Sequence, residues 1–299
     1  MSTDSPADEL VGGLPQRRYR SALIHGLRRL SRKAGAMTGL VVFILLILAA
    51  IFADVLAPYS PIELDISSIL VEPSPEHLFG TDQFGRDIFS RVLFGARISL
   101  RVGLISVMIA GVVGGMLGMV AGYWGGFLDT LIMRLMDAML AFPGLLLALS
   151  IVATLGPSMT NVMIAVGISW VPSCARLVRG TVLSAKQNLY IEAARTVGAS
   201  APRIMFVHLL PNVAAPVIIL SSLGVPGSII TAASLSYLGL GAQPPTPEWG
   251  LILSEGRSFL QSAWWISTFP GLVIMFTVFA INLLGDGLRD VLDPRLKIG

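Results

Sequence analysis

Apolar runs of about 20 residues recur along this chain and leave few folds open to it. A helix needs ~20 predominantly apolar residues to cross the ~30 Å hydrocarbon core of a bilayer. Hydrophobic residues make up 54% of the 299 residues and charged residues 13%, which is more apolar surface than one soluble core of this length normally hides. We therefore predict an all-α membrane protein with about six transmembrane helices. The six runs lie at 37–56, 98–124, 128–155, 161–178, 213–240 and 264–288.

The distribution of basic residues predicts the orientation of these spans. Lys and Arg residues near span ends are retained in the cytoplasm. With both termini inside, sixteen of them fall on the cytoplasmic side and five on the opposite side. The first run is longer than the core of a signal peptide, so we predict an uncleaved span. The predicted order is a basic cytoplasmic tail at 1–36, the first transmembrane helix at 37–56, an external segment at 57–97, a transmembrane domain at 98–288 and a cytoplasmic tail at 289–299.

Few residues of the chain suit metal, nucleotide or redox chemistry. Cys174 is the single cysteine, so no intramolecular disulfide is possible and a packing role is expected. The three histidines lack the spacing that brings two ligands onto one helical face, and no lysine follows a glycine as in a phosphate-binding loop. The net charge of +3 is explained by the topology, so nucleic acid is not expected as a partner. We expect no cofactor, no metal site and no catalytic residue in this chain.

Two other functions make demands that the sequence does not meet. A secondary carrier or channel places ionisable groups near the bilayer centre, whereas the charged residues of these spans lie near the span ends. Arg134 and Asp137 are three residues apart at one such end, a spacing that allows them to pair. A membrane-embedded enzyme needs a nucleophile and a base at matched depth, and no such set stands out. A carrier remains the less favoured alternative.

Glycines are dense in the second span, and several lie four residues apart, among them Gly114, Gly118 and Gly122. Helix association in lipid depends on close backbone approach, so such a face packs tightly against another helix. That helix can belong to this chain, which is the simpler interpretation, or to a second chain.

Residues 184–212, between the fourth and fifth spans, are charged and too short to cross a bilayer, and the topology places them in the cytoplasm. They predict a helix at 184–197 with a glycine stop, then a short helix from Ser200 to Pro211. Small residues beside Glu192 suit a groove in another protein, whereas a thin apolar stripe suits the membrane surface. The physical properties of the segment leave both interpretations open.

The segment resembles the cytoplasmic signature loop of binding-protein-dependent ABC importer permeases. That signature runs Glu-Ala-Ala, three residues, Gly, nine residues, Ile, any residue and Leu-Pro. His208 departs from the Ile of the general pattern and resembles the peptide-importer branch. The resemblance implies a coupling helix that docks in a groove of an ATPase subunit. The residues that it assigns to docking are Glu192, Ala193, Ala194, Arg195, Gly198, Leu210 and Pro211.

Segments at 77–100, 141–149, 232–250 and 282–295 are similar to the second permease subunit of dipeptide and oligopeptide importers, including glutathione importers. The resemblance runs from about residue 36 to the end and implies a type I ABC importer permease in a bacterial inner membrane. It implies one half of a translocation path for small peptides. The implied partners are a distinct second permease, two ATPase subunits that bind ATP and Mg, and an external solute-binding protein. Nickel or another small non-peptide solute is the alternative cargo.

Two predicted external segments have physical interpretations of their own. Apolar residues recur at helical spacing at Phe84, Ile88, Phe89, Val92 and Leu93, and they predict a helix at the membrane interface with Asp87 and Arg91 on its polar side. This helix covers the outer mouth or contacts a substrate-delivery protein. Residues 241–250 are stiffened by three prolines and predict an external gate, a docking loop or a plain connector, with Trp249 at the membrane interface.

Overall fold

The computed structural model describes residues 33–292, so most of both predicted tails lies outside the described residues. Within this part of the chain the secondary structure is helical apart from one isolated bridge between Thr81 and Asp87. The α-helical stretches, with the π-turns inside α3 and α8 included, are α1 (Ala34–Ile51), α2 (Ala53–Leu56), α3 (Ile88–Trp124), α4 (Gly126–Leu140), α5 (Gly144–Leu155), α6 (Met159–Ala185), α7 (Leu189–Thr196), α8 (Ala201–Tyr237), α9 (Trp249–Gly256) and α10 (Trp265–Leu292).

Five of these helices, α1, α3, α6, α8 and α10, are long and apolar enough to cross a membrane, and α4 with α5 makes a sixth span if the pair is counted as one. The prediction of an all-α protein with about six spans is confirmed. The prediction of one helix at 128–155 is wrong, because α4 and α5 meet at 93°. Pro143 explains the break, since it lacks a backbone N–H and disfavours helical geometry in the residue before it.

Helix α3 begins at Ile88, where the Asp87 carboxylate accepts a hydrogen bond from the Ser90 backbone N–H at 2.7 Å. The predicted interfacial helix is therefore the first part of α3 and not a separate element. Its predicted polar side is also wrong, because Asp87 and Arg91 are 2% and 0% exposed. Arg91 is buried together with two carboxylates, Asp82 and Glu255, and the Asp87 carboxylate accepts from the Ser90 backbone N–H and lies 3.0 Å from His77 Nδ1.

The glycines of α3 pack against α6 of the same chain. A Cβ built on Gly118 would lie 2.3 Å from the Ala175 carbonyl oxygen, and one on Gly114 would lie 2.6 Å from that of Val171. A Cβ on Gly122 would lie 2.8 Å from the Val182 Cβ, also in α6. The interpretation of these glycines as an intrachain packing face is confirmed, and α6 forms the centre of the bundle.

The first and last spans pack along each other. A Cβ on Gly39 of α1 would lie 2.6 Å from the carbonyl oxygen of Ala280 in α10, so the two backbones are in direct contact. Lys33, just before α1, forms an ion pair with Asp290 near the end of α10. The two ends of the described chain thus lie at the same end of the bundle, while the side of the membrane that they face remains a prediction.

At the other end of the bundle, residues 57–87 and 238–264 form a compact structure that we call the cap. Its centre is a buried ion network. The Asp82 carboxylate accepts hydrogen bonds from Arg86 at 2.6 Å and from Arg91 at 2.5 Å. Glu255 of α9 accepts from the same two guanidinium groups at 2.9 and 2.7 Å. Two negative and two positive groups therefore balance each other out of contact with water, and they join α9 to the start of α3.

Trp249 attaches the proline-containing loop to α3, and Glu248 caps the helix that follows the loop. Trp249 is fully buried and donates from its indole N–H to the Val92 carbonyl oxygen at 2.9 Å, so its predicted place at the membrane interface is wrong. Glu248 caps α9 by accepting from the Leu251 backbone N–H at 2.9 Å. Burial raises the pKa of the Glu248 carboxyl, while the hydrogen bonds that it accepts act in the opposite direction.

Candidate functional site

The predicted docking segment is a short helix held between two long ones. Helix α6 ends at Ala185, residues 186–188 form a turn, and α7 follows from Leu189 to Thr196. The predicted single helix at 184–197 is therefore wrong at its start. The turn is closed because the Asn188 side-chain amide donates to the Ala185 carbonyl oxygen at 3.0 Å, which satisfies a carbonyl group at the end of α6.

Helix α7 has one face toward the bundle and one face that is free in this chain. Ile191 and Ala194 are 0% and 8% exposed and belong to a cluster with side chains of α6 and α8. Glu192, Ala193 and Arg195 are exposed. Of the residues assigned to docking, Ala194 thus contacts the bundle, while the other six are accessible: Glu192, Ala193, Arg195, Gly198, Leu210 and Pro211.

The turn after α7 depends on backbone geometry at Gly198. Its φ of +77° lies in the left-handed region, and a Cβ there would meet nothing within 4 Å. The need for glycine therefore comes from backbone conformation and not from crowding. The predicted stop at Gly198 is confirmed.

The predicted second helix does not end at Pro211. Helix α8 starts after Ser200 and continues to Tyr237, with a π-turn at Ile204–Leu209 just before the proline. The wider turn changes the hydrogen-bond register, so Pro211 lies in the first turn of the α-helical stretch that follows. Proline is tolerated there because backbone N–H groups of a first turn have no partner within the helix. The segment that carries the Leu-Pro part of the signature is thus rigidly continuous with the fifth span.

A second contact, which was not predicted from the sequence, joins this segment to α3. The Lys186 ammonium donates to the carbonyl oxygens of Gly122 and Tyr123, at 3.1 and 2.7 Å, and so caps the end of α3. The Tyr123 ring also lies 5.7 Å from the Arg195 guanidinium. Burial, with the nearby charge of Arg195, lowers the pKa of Lys186. A lysine directly after an apolar span is the one signal in the sequence, and it does not identify its partner.

Helices α4 and α5 form a second exposed surface, besides the exposed face of α7. Two ion pairs hold α4 to α6: Arg179 with Asp129 at 2.5 Å, and Arg176 with Asp137 at 2.6 Å. The pairing that spacing allowed between Arg134 and Asp137 is therefore not the one that forms. The break at 141–143 between the two helices is exposed, and Phe142 within it is 61% exposed.

Among the described residues, no group of three or more His, Cys, Asp or Glu side chains is placed to hold a metal ion.

Comparisons with known proteins agree with one another. Residues 114–298 match the family described as binding-protein-dependent transport system inner membrane component, and residues 22–73 match the N-terminal transmembrane domain of oligopeptide transport permease C. The chain is 50% identical to a dipeptide transport system permease protein of Alkalihalophilus pseudofirmus, over 90% of this chain and 89% of that one. It is 51% identical to a glutathione transport system permease protein of Escherichia coli, with the same two coverages.

Another relative is a di/tripeptide transport system permease protein of Pseudomonas aeruginosa, which is 46% identical over 93% of this chain and 94% of that one. Among solved structures, an inward-facing methionine ABC transporter aligns with a TM-score of 0.55 at 18% identity. The alignment covers 67% of this chain and 96% of that chain. At this identity the likeness concerns the fold alone.

Proposed function

This chain belongs to the family of binding-protein-dependent transport system inner membrane components, and from that membership we propose that it forms one half of the translocation path of an ATP-driven peptide importer. It is a multi-pass permease of the bacterial inner membrane, and its family is one of transport subunits rather than nucleotide-binding enzymes. In this proposal a distinct second permease forms the other half, two ATPase subunits bind ATP and Mg, and an external protein delivers the solute.

The observation that carries the proposal is the rigid seating of α7 with an exposed charged face. Ile191 and Ala194 fix the helix on the bundle, while Glu192 and Arg195 remain accessible to a partner. Lys186 lies in the turn before α7 and binds the end of α3. A displacement of α7 would therefore move the junction between α3 and α4 directly. A partner shifts a conformational equilibrium only through different affinities for its two states, so the ATPase subunit must contact this face differently in each.

The break between α4 and α5 supports a second permease beside this one. Irregular backbone at membrane depth is tolerated only where protein covers it or where it lines a water-filled cavity. In the proposed topology residues 141–143 lie inside the third predicted span, and they are exposed, so this chain does not cover them. A second permease that packs against α4 and α5, with an aqueous path between the two chains, meets both.

Small peptides are the proposed cargo because relatives over about nine-tenths of the chain are named for dipeptide, di/tripeptide and glutathione transport. The alternative is nickel or another small non-peptide solute carried by the same machinery. Uptake assays with the purified complex in proteoliposomes separate the two. ATP-dependent accumulation of a labelled dipeptide or of glutathione supports the proposal, whereas accumulation of nickel with neither peptide contradicts the assigned cargo.

Affinity purification of this chain from native membranes tests the partners. We expect an ATPase, a second permease and a solute-binding protein to be recovered with it. Recovery of the chain alone, with transport activity in the absence of ATP, would mean that the chain is a secondary carrier.

Charge reversal on α7 tests the docking surface. We expect Glu192→Lys to lower ATP-driven peptide uptake at least about tenfold and to weaken retention of the ATPase subunit, because losing a charged contact at an interface costs roughly 2–5 kcal/mol. Glu63→Lys is the matched control, since Glu63 is an exposed carboxylate in the cap. Normal uptake and normal ATPase retention by Glu192→Lys would show that α7 is not the docking helix.

A further inference from the structure

An apolar groove of about 560 Å³ lies between α1, α3, α8 and α10, away from α7 and from the α4–α5 break. Its volume falls in the range of about 300–1,000 Å³ that is typical of sites for small ligands. Within the described part of the chain, its lining is aliphatic or aromatic except for glycine and three polar side chains, Arg97, Arg101 and Ser222. Ile51 and Leu104 are 59% and 56% exposed, so the groove opens at the outside of the bundle, along membrane-spanning helices.

The two arginines at this groove differ in their partners. Arg97 donates to the carbonyl oxygens of Ala50 and Ile51 at the end of α1, and to the Asp54 carboxylate at 2.8 Å. Its guanidinium is thus occupied and lies where the first span ends. Arg101 lies one turn further along α3, about 6 Å deeper. It is exposed and forms no ion pair with any other residue that the structure describes.

An unpaired arginine at this depth requires an anion or water. A charged side chain beside hydrocarbon is costly unless it reaches the polar headgroups or pairs with a counter-charge. Asp54, three residues from Ile51 of the groove, is already bonded to Arg97, and Asp286, next to Gly285 of the groove, forms no ion pair with Arg101. The counter-charge for Arg101 must therefore come from outside the described chain.

We propose that this groove binds one anionic phospholipid, with an acyl chain along the apolar wall and the headgroup phosphate on the guanidinium of Arg101. A guanidinium presents two parallel N–H donors that match the spacing of phosphate oxygens. Each methylene of the acyl chain gains from contact with the aliphatic walls. A peptide fits less well, because its backbone N–H and C=O groups would lie against walls that offer only Ser222 besides the arginines.

Lipid retention by the purified full-length chain, with any subunits that accompany it, tests this assignment. The chain is stripped in detergent, titrated with phosphatidylglycerol or with phosphatidylcholine of the same acyl chains, and analysed by native mass spectrometry. We expect one phosphatidylglycerol to be retained per chain, with phosphatidylcholine bound at least about tenfold more weakly. Arg101→Gln should weaken phosphatidylglycerol binding by about tenfold, the scale of one charge-assisted hydrogen bond, while Arg101→Lys should keep most of it.

Two further variants distinguish the groove from general attraction to a positive charge. Arg134→Gln removes another exposed arginine of a spanning segment outside the groove and should not change binding. Leu104→Trp narrows the groove with Arg101 intact and should reduce the retention of long-chain lipid but not of soluble glycerol phosphate. Equal binding by wild type and Arg101→Gln overturns the proposal, and so does equal binding of the two lipids. Recovery of a peptide or of a second permease crosslinked at residue 104 assigns the groove to that occupant instead.

Discussion

Replacing Glu255 by Gln measures how much the buried ion network contributes to the stability of the cap. Glu255 accepts hydrogen bonds from Arg86 and Arg91, and its side chain is only 10% exposed. The substitution removes one of the two negative charges that face two buried guanidinium groups, and it leaves an uncompensated positive charge. Breaking a buried pair in this way costs about 3–5 kcal/mol. For domains of ~150–250 residues each kcal/mol lowers the unfolding midpoint by about 2–4 °C, so we expect a decrease of roughly 6–20 °C.

The assay is thermal unfolding of the full chain in detergent, monitored by tryptophan fluorescence, since Trp249 of the cap and Trp265 at the start of α10 are both buried. Adding Arg91→Met to Glu255→Gln restores the balance of one acid and one base, so the double variant should unfold at a higher temperature than Glu255→Gln alone. Glu63→Gln, at an exposed carboxylate, should change the free energy of unfolding by less than about 0.5 kcal/mol. A midpoint of Glu255→Gln within about 1 °C of wild type, or a double variant less stable than the single one, would refute this account of the network.

The remaining predictions concern the packing of α3 and its contact with Lys186 at the start of the proposed docking segment. Gly118→Ala places a methyl group 2.3 Å from the Ala175 carbonyl oxygen, so we expect a loss of about 1–3 kcal/mol in the free energy of unfolding. Gly115→Ala, with nothing within 4 Å, is the matched control and should not lower the unfolding midpoint. Lys186→Met removes both hydrogen bonds to the end of α3, so we expect ATPase activity to persist while ATP-driven uptake falls several-fold. Uptake and ATPase activity that fall in equal proportion would contradict a coupling role for Lys186.

Long apolar runs made most of the fold predictable from the sequence. A run of 20 such residues has one stable form in lipid, since a helix satisfies its own backbone groups, and α1, α6, α8 and α10 lie where those runs are. The start of α3 is different, because one of the two carboxylates that pair with the buried Arg91 is Glu255, 164 residues away. The sequence around Arg91 does not reveal this distant partner. Asp87 and Arg91 were therefore predicted to form the polar side of an interfacial helix.

The structure of the proposed docking segment was predictable only where it depends on local properties of the sequence. The stop at Gly198 follows from glycine's tolerance of positive φ, which is a local property. The burial of Ala194 and the contact of Lys186 with the end of α3 depend on which helices lie beside α7, and residue spacing along one chain does not determine that arrangement. The bend at Pro143 was predictable in part, because the proline indicates that the helix breaks there but does not determine the angle between α4 and α5.

The contact of α1 with α10 has a consequence for biosynthesis. Gly39 meets Ala280, so the first span is made 241 residues before the helix that it packs against. At ~5–20 residues per second this delay is roughly 12–50 s, during which α1 must remain inserted without its partner. Helix α1 is the most apolar of the five long spans and carries no charged residue, whereas α6, the least apolar and half buried, inserts when α3 is already present. The high apolarity of α1 therefore suits the time that it spends in lipid before α10 is made.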